Sequence, residues 1–179
     1  MTGVDERRLI RGLKKGEGKS WKLLFDLFYA KFVNFAYTIV GDRSAAKDIV
    51  QNAFIRVWTY RERLEEDGSI ENYIYVIVKR LVLNFLRDRK DYEDIASLGE
   101  AVSVDPGYDG VENRVMADET RLRIQNCVSN MPPQRRIVYV MSREQGLSNK
   151  DIATALGISV RTVDRHISLA LADLRKNFS

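Results

Sequence analysis

The sequence predicts an all-α protein of two small helical domains, and three observations carry that prediction. Apolar residues recur at the 3.6-residue period of a helix through long stretches of the chain. The 179 residues include only 3 prolines and 11 glycines, too few turn residues for a many-stranded β-sandwich. Net charge is +3 over residues 1–95, −5 over residues 96–120 and +6 over residues 121–179. We therefore predict helical domains at 1–95 and 121–179 and an acidic linker at 96–120, the alternative being a long surface loop within one domain.

The first two helices are predicted from apolar stripes and glycine stops. Leu9, Ile10 and Leu13 share one helical face before a short glycine-containing break. A second helix covers residues 20–40, with a wide apolar stripe that includes Phe25, and Gly41 is its predicted C-cap. So many aromatic residues at helical spacing indicate a protein core.

A third helix, residues 44–60, opens at Asp42 or Ser44 and has two contrasting faces. One face is apolar and predicted to be buried. The opposite face carries Asp48, Gln51, Asn52, Ile55 and Thr59. A lone exposed apolar residue such as Ile55 usually has no function, although among hydrogen-bonding groups it can also anchor a protein partner.

The fourth helix begins near Ser69, its predicted N-cap, and contains aromatic and β-branched residues followed by cations and amides. Its apolar pattern continues for about 18 residues without a turn signal, which favours a helix over a strand. Aromatic rings beside cations suit single-stranded nucleic acid, because bases stack on rings and phosphates pair with cations. A core helix with a solvated basic end explains the same pattern.

The C-terminal region predicts a four-helix domain that contains a helix-turn-helix. Ser148 caps a short helix, Gly157 makes the turn and Ser159 caps a longer helix over residues 160–176. Small Ala153 and apolar Val163 lie where two such helices approach closely. The outward face of the second helix carries Arg161, Arg165 and Ser168, with Thr162 and His166 on its flank. Such side chains reach base edges in a major groove, and two packed helices with a solvated basic face are the alternative.

Composition excludes several classes of function. A single cysteine, Cys127, and a single histidine, His166, leave no disulfide framework, no Cys-rich or His-based metal site and no Ser-His-Asp triad. The longest apolar run predicted, residues 73–86, is interrupted by cations and too short to span a membrane, and residues 1–15 do not resemble a secretory signal. We expect a cytoplasmic protein with no catalytic residues, cofactor, metal or direct membrane insertion.

The two halves together resemble an extracytoplasmic-function (ECF) type sigma factor of bacterial RNA polymerase, from about residue 20 to residue 174. Residues 46–58, AKDIVQNAFIRVW, are similar to the polymerase-binding helix of that family. Residues 73–89 are similar to its promoter-melting helix, and residues 131–175 to its C-terminal helix-turn-helix domain. Three motifs in the family's order, with an acidic segment between them, make the resemblance specific.

The resemblance implies binding to core RNA polymerase and promoter DNA, with an anti-sigma factor as a further partner. The implied polymerase contacts are Asp48, Gln51, Asn52, Ile55 and Arg56. The implied −10 contacts are Tyr73, Lys79, Arg80, Asn84 and Arg87, with the preceding loop at 61–70 holding a flipped-out base. The implied −35 contacts are Ser148, Lys150, Arg161, Thr162, Arg165 and His166.

The sequence departs from the family pattern at three positions, and its residues disfavour two other functions. The family often has an acidic residue in place of Asn52, tryptophan in place of Tyr73 and asparagine in place of Arg80. A stand-alone helix-turn-helix regulator is disfavoured because the N-terminal half shows no ligand-site cluster. A metal-dependent nuclease is disfavoured because its acidic residues do not converge in sequence. The sequence therefore predicts a sigma factor that recognises −35 DNA and melts −10 DNA.

Overall fold

The computed structural model describes residues 3–96 and 115–178, with side-chain surroundings for residues 6–89 and 122–177. These residues form helices and no strand, which confirms the all-α prediction. The first four helices are α1 Gly3–Lys14, α2 Gly18–Val40, α3 Arg43–Thr59 and α4 Ile70–Ala96, with a 3₁₀ turn at Arg61–Arg63. The last four are α5 Val115–Ser129, α6 Pro133–Arg143, α7 Asn149–Leu156 and α8 Val160–Phe178.

The predicted acidic linker differs from the structure at its C-terminal end. Residues 97–114 lie outside the described residues, but α5 begins at Val115, inside the range predicted as linker. Asp118 and Glu119 contribute to the negative charge on which the linker prediction rested. Acidic residues are also favourable near the positive end of a helix dipole, so charge alone did not distinguish a linker from a helix start.

Helix α2 is the centre of the N-terminal half. Leu24, Phe32, Phe35 and Ile39 are fully buried along it, and α1, α3 and α4 all pack against it. By length and composition α2 is the one helix in the described part of the chain that could cross a membrane. However, one face of α2 is buried against the other helices, as in the core helix of a folded domain. The sequence had indicated only residues 73–86, its longest apolar run, as a candidate for a membrane span, whereas the described helix with the required length and composition is α2.

The junction between α2 and α3 forms as predicted. Gly41 has a φ of 75°, a left-handed conformation that glycine adopts without steric cost, and its N–H donates to the Tyr37 carbonyl. Asp42 is the N-cap of α3, and its Oδ1 accepts a hydrogen bond from the Ala45 N–H at 2.9 Å. This tight corner fixes the direction of α3 on α2.

The C-terminal half contains the predicted helix-turn-helix. Ser148 Oγ accepts from the Asp151 N–H, Gly157 has a φ of 65°, and Ser159 Oγ accepts from the Thr162 N–H. Val163 on α8 is fully buried, and α8 packs against α7. Asn149 Nδ2 donates to Asp164 Oδ1 at 2.6 Å and adds a polar tie between the two helices.

The two halves pack against each other and share one continuous buried cluster. Helix α4 contacts α7, and α2 contacts α5 and α6. The Arg136 guanidinium on α6 donates to the Ile39 carbonyl at the end of α2, and Thr38 Oγ1 donates to Glu144 Oε2 at 3.1 Å. Burial lowers the pKa of Arg136. The description as two domains joined by a linker did not predict this packing.

Candidate nucleic-acid and protein interfaces

The outward face of α3 is the first candidate interface. All five side chains that the resemblance singled out there are exposed: Asp48, Gln51, Asn52, Ile55 and Arg56. The Ile55 side chain is 60% exposed, the largest value among the exposed large apolar residues of the described chain. The opposite face of α3 is buried, so these five side chains are held on a rigid helix that faces solvent.

Phe25 on α2 adds an apolar surface that the sequence placed in the core. Its ring stacks on Tyr29 with 4.3 Å between centroids and meets Phe54 edge-on at 5.7 Å. The outer part of the ring remains in solvent, and Phe25 is 41% exposed. Because Phe54 directly precedes Ile55, the exposed aromatic edge borders α3. The sequence did not predict the exposure of Phe25, because the apolar stripe on α2 is wider than one helix face. Some residues of such a stripe must lie outside the core.

The outward face of α4 is the second candidate interface, and it holds four of the five predicted side chains. At about 100° per residue, Tyr73, Arg80, Asn84 and Arg87 fall within one sector of about 60° around the helix, and Tyr73 packs partly against the core. Arg80 and Arg87 are exposed, whereas Tyr73 and Asn84 are half-buried. Arg87 also donates to the carboxylate of its neighbour Asp88. The face therefore combines a ring, an amide and two cations.

Lys79 does not lie on that face. It is about 120° away from Tyr73 around the helix, and its Nζ donates to the carbonyl oxygen of Leu156 at 2.8 Å. Leu156 is the last residue of α7, where backbone carbonyls lack helical partners and favour a cation. Burial lowers the pKa of the Lys79 ammonium. In this arrangement Lys79 joins the two halves of the protein.

The loop before α4 starts with two arginines that cover aromatic rings. The Arg61 guanidinium lies 4.4 Å from the Trp58 ring centroid and donates to the Trp58 carbonyl at 2.8 Å. The Arg63 guanidinium lies 5.2 Å from the ring of Tyr60. Such cation–π contacts stabilise a defined loop conformation beside the end of α3.

The N-terminal part of α8 is the third candidate interface. Arg161 and Arg165 are exposed on its outward face. Ser148 and Lys150 are exposed at the start of α7, although the Ser148 hydroxyl is occupied as the helix cap. Thr162 is half-buried, and its hydroxyl shares a 2.8 Å hydrogen bond with Ser159.

His166 is half-buried on the flank of α8. Its Nδ1 is buried and has no hydrogen-bond partner. Burial is the main cause that lowers its pKa, and the nearby charges of Arg135 and Arg165 add to the effect. The imidazole is therefore held mainly neutral at physiological pH. Among the described residues, no group of three His, Cys, Asp or Glu side chains is placed to hold a metal ion.

Comparison with known families matches both halves of the chain. Residues 24–92 match the family model for Sigma-70 region 2, and residues 121–174 match that for Sigma-70, region 4. The two matches together span more than half of the sequence. The chain belongs to the sigma-70 family of RNA polymerase sigma factors.

Relatives of this sigma factor place it among the ECF type. The ECF RNA polymerase sigma factor SigW of Bacillus subtilis is 27% identical over 177 residues, which cover 95% of each chain. The RNA polymerase sigma-H factor of Pseudomonas aeruginosa is 24% identical, with 93% of this chain and 90% of that protein covered. The region matches and these relatives confirm the resemblance inferred from the motifs.

Two solved structures share the fold over nearly the whole chain. CnrH, in complex with the cytosolic domain of CnrY, superposes with a TM-score of 0.71 at 18% identity and covers 96% of this chain and 95% of its own. The sigma factor RpoE from Bartonella quintana, in complex with the anti-sigma factor NepR, gives a TM-score of 0.71 at 17% identity, covering 89% and 97%. Both structural similarities extend over the two helical halves.

Proposed function

We propose that this sigma factor binds core RNA polymerase through α3, opens −10 DNA with α4 and the loop before it, and reads −35 DNA with α8. The observation that supports the proposal is that α3 and α4 within the Sigma-70 region 2 match, and α8 within the region 4 match, each carry exposed polar or basic side chains on a helix whose other face is buried. Residues 1–95 and 121–179 are the corresponding functional units. In this proposal the protein is a specificity subunit in the cytoplasm, and the polymerase carries out RNA synthesis.

The α3 face suits a protein partner. It has an apolar centre, Ile55, surrounded by the amides of Gln51 and Asn52 and by the charges of Asp48 and Arg56. Protein interfaces of this kind combine an apolar anchor with a polar rim that excludes water. Phe25 enlarges the apolar surface at the edge of α3.

The α4 face suits separated DNA strands. Tyr73 offers a ring for base stacking, and Arg80 and Arg87 offer cations for phosphates. Unpairing and unstacking a base costs a few kcal/mol, which such contacts must offset. We assign Tyr73, Arg80, Asn84 and Arg87 to this surface, and Lys79 becomes available to DNA only after its bond to Leu156 breaks.

The N-terminal part of α8 suits a major groove. Arg161 and Arg165 project from the end of the helix that enters the groove in helix-turn-helix proteins. An arginine can bond a guanine edge through two hydrogen bonds. Lys150 at the start of α7 would contact the backbone phosphates. Thr162 and His166 are half-buried, so they would contact DNA only from the flank of α8.

Simultaneous contact with both promoter elements requires the two halves to separate. Elements centred near −10 and −35 are roughly 25 base pairs, or about 85 Å, apart along duplex DNA. In the packed arrangement Lys79 contacts Leu156, and α8 starts only four residues later. Four residues span at most about 14 Å, so the two DNA-reading helices are too close to each other.

Reconstitution tests the proposed function. The purified protein and core polymerase are combined with a genomic DNA library, and the RNA 5′ ends are sequenced. We expect start sites that share −10 and −35 sequences and that are absent without the protein. An anti-sigma factor, by analogy with the NepR complex of RpoE, is a further expected partner, and it should abolish these starts.

A further inference from the structure

Helix α1 contacts the loop that leads into α4, residues 61–70, along most of the length of the helix. Four side chains of α1 bond successive parts of the loop in the reverse direction: Lys14 Nζ with the Leu64 carbonyl (3.1 Å), Arg11 with Glu66 (2.7 Å), Arg7 with Asp67 (2.7 Å), and Glu6 with Ser69 and Ile70. The loop therefore runs antiparallel to α1 and contacts each of its turns.

Glu6 makes the most specific of these contacts. Its Oε1 accepts from the Ile70 N–H at 2.9 Å and from Ser69 Oγ at 3.2 Å. Ser69 Oγ in turn accepts from the Asn72 N–H at 3.3 Å. The start of α4 is thus capped jointly by its own serine and by a carboxylate from α1, which also suits the helix dipole.

The loop has little freedom elsewhere. Leu64 and Ile70 at its two ends are 5% and 1% exposed, so both are anchored in the core. Helix α1 is itself fixed, because Gly12 lets it approach α2 closely. A Cβ at Gly12 would lie 1.9 Å from Ser20 Oγ. A rigid helix therefore sets the path of the segment between two buried anchors.

The contacts also change the electrostatics of the loop. Residues 61–70 contain four acidic and two basic side chains, an unfavourable balance for a segment beside DNA phosphates. Arg11 and Arg7 pair with Glu66 and Asp67, two of the four acidic groups. The hydrogen bond from Arg11 lowers the pKa of Glu66, which keeps the pair ionised.

We propose that α1 is the positioning element of this loop, so that Glu6, Arg7, Arg11 and Lys14 contribute to −10 selectivity without touching DNA. The inference rests on the proposed role of the loop in holding an unpaired −10 base. A pocket for a flipped base discriminates only if its backbone is preorganised, because a mobile loop accommodates several bases at similar cost. Helix α1 supplies that preorganisation through Glu6 above all.

The test compares Glu6→Ala with Glu6→Gln in promoter selection. The templates carry randomised −10 positions downstream of one fixed −35 sequence. That −35 sequence is the one that the wild-type protein selects in reconstituted transcription. Glu6→Ala removes the acceptor and should lower the preference for the best −10 sequence over its single-base variants by about fivefold, the value of one helix cap. Glu6→Gln keeps an acceptor and should restore most of the preference. Core polymerase affinity should not change in either variant.

Three further variants, one of them a control, keep the test decisive if Glu6→Ala folds poorly. Arg11→Glu faces Glu66 with a like charge and should lower −10 preference about twofold, and adding Glu66→Arg should restore it. Arg8→Ala removes an exposed cation from the same helix without removing a bond to the loop seen here, and serves as the matched control.

The outcomes separate this inference from the proposed function. If the wild-type protein starts RNA selectively and Glu6→Ala keeps full −10 preference, even at a lower unfolding temperature, α1 has only a structural role and the inference is overturned. If Glu6→Ala loses preference and Glu6→Gln regains it, the inference stands. If the wild-type protein fails to start RNA with core polymerase, the proposed function itself fails, and this inference with it.

Discussion

Lys79 Nζ on α4 donates a hydrogen bond at 2.8 Å to the carbonyl oxygen of Leu156 at the end of α7. The bond joins the half of the protein that carries the proposed −10 surface to the half that carries the proposed −35 surface. Arg136 and Glu144 of the C-terminal half also bond the end of α2. In the packed arrangement the two helices that we propose contact DNA lie too close together to reach both promoter elements.

Replacing Lys79 should loosen this packing. Lys79→Met keeps the apolar stem but removes the donor, and should shift the ratio of open to packed molecules about fivefold toward open, the value of one net hydrogen bond. Pulsed electron spin resonance between spin labels on Lys47→Cys and Lys176→Cys measures the separation, and native Cys127 is buried. Core polymerase should lengthen the distance in every variant.

The matched control for this experiment is Arg80→Met. Arg80 is the next residue on α4, about 100° around the helix from Lys79, and is exposed. Its replacement should leave the distance distribution of the free protein unchanged. Identical distances with and without polymerase would contradict the opening step.

Ile55→Glu should weaken binding to core polymerase by roughly tenfold or more, because a charge would replace the apolar anchor of the α3 face. Since Ile55 is already 60% exposed, the free energy of unfolding should change by no more than about 0.5 kcal/mol. Fluorescence titration with core polymerase measures the affinity. Val76→Glu, at an exposed apolar site on α4, is the control and should bind normally. Unchanged affinity of Ile55→Glu would refute the assignment of α3.

Arg165→Glu should weaken binding to −35 DNA by about tenfold or more, through loss of a base or phosphate contact and gain of a repulsive charge. Binding of the variant to core polymerase should remain intact. The control is Lys176→Glu, which makes the same change of charge at the far end of α8. Gel-shift titrations on duplex −35 DNA, with polymerase binding in parallel, compare the two variants. A loss of both activities in Arg165→Glu would indicate misfolding and not loss of DNA contact.

His166 should make stability pH-dependent in a predictable direction. Its pKa is lower in the folded protein than its ordinary value of 6.5, so the unfolded chain binds the proton more tightly. The free energy of unfolding should therefore be highest above pH 6.5 and fall as the pH drops from 6.5 toward the folded pKa. Urea unfolding between pH 5 and 8 measures this, and NMR of the single imidazole gives the pKa directly. His166→Gln should remove the slope in that window, and an equal slope in both proteins would contradict the assignment.

Local chemistry made much of the fold predictable. Gly41, Asp42, Ser148, Gly157 and Ser159 mark helix ends because each residue type satisfies a specific backbone conformation or hydrogen bond. The 3.6-residue period placed the outward side chains of α3 and α8 correctly, since burial on one face of a helix determines exposure on the other.

Contacts between distant residues could not be predicted in the same way. The bond from Lys79 to Leu156 depends on how two halves pack, and the bond from Glu6 to Ile70 joins residues far apart in sequence. Neither leaves a periodic signal. His166 lies on the flank of α8, where its burial depends on the neighbouring helix rather than on its own. The sequence placed Phe25 in the core, although its ring is partly exposed. Its exposure also depends on the neighbouring helices and not on the pattern of α2 alone.

Footprinting of a reconstituted complex tests the central claim most directly. The protein, core polymerase and a promoter recovered from the start-site mapping are combined, and DNA protection and strand opening are read together. We predict protection of the −35 and −10 elements in one complex, with single-stranded DNA at −10, only when both proteins are present. Tight binding of the protein alone to duplex DNA, with no affinity for core polymerase and no opened −10 region, would contradict the account.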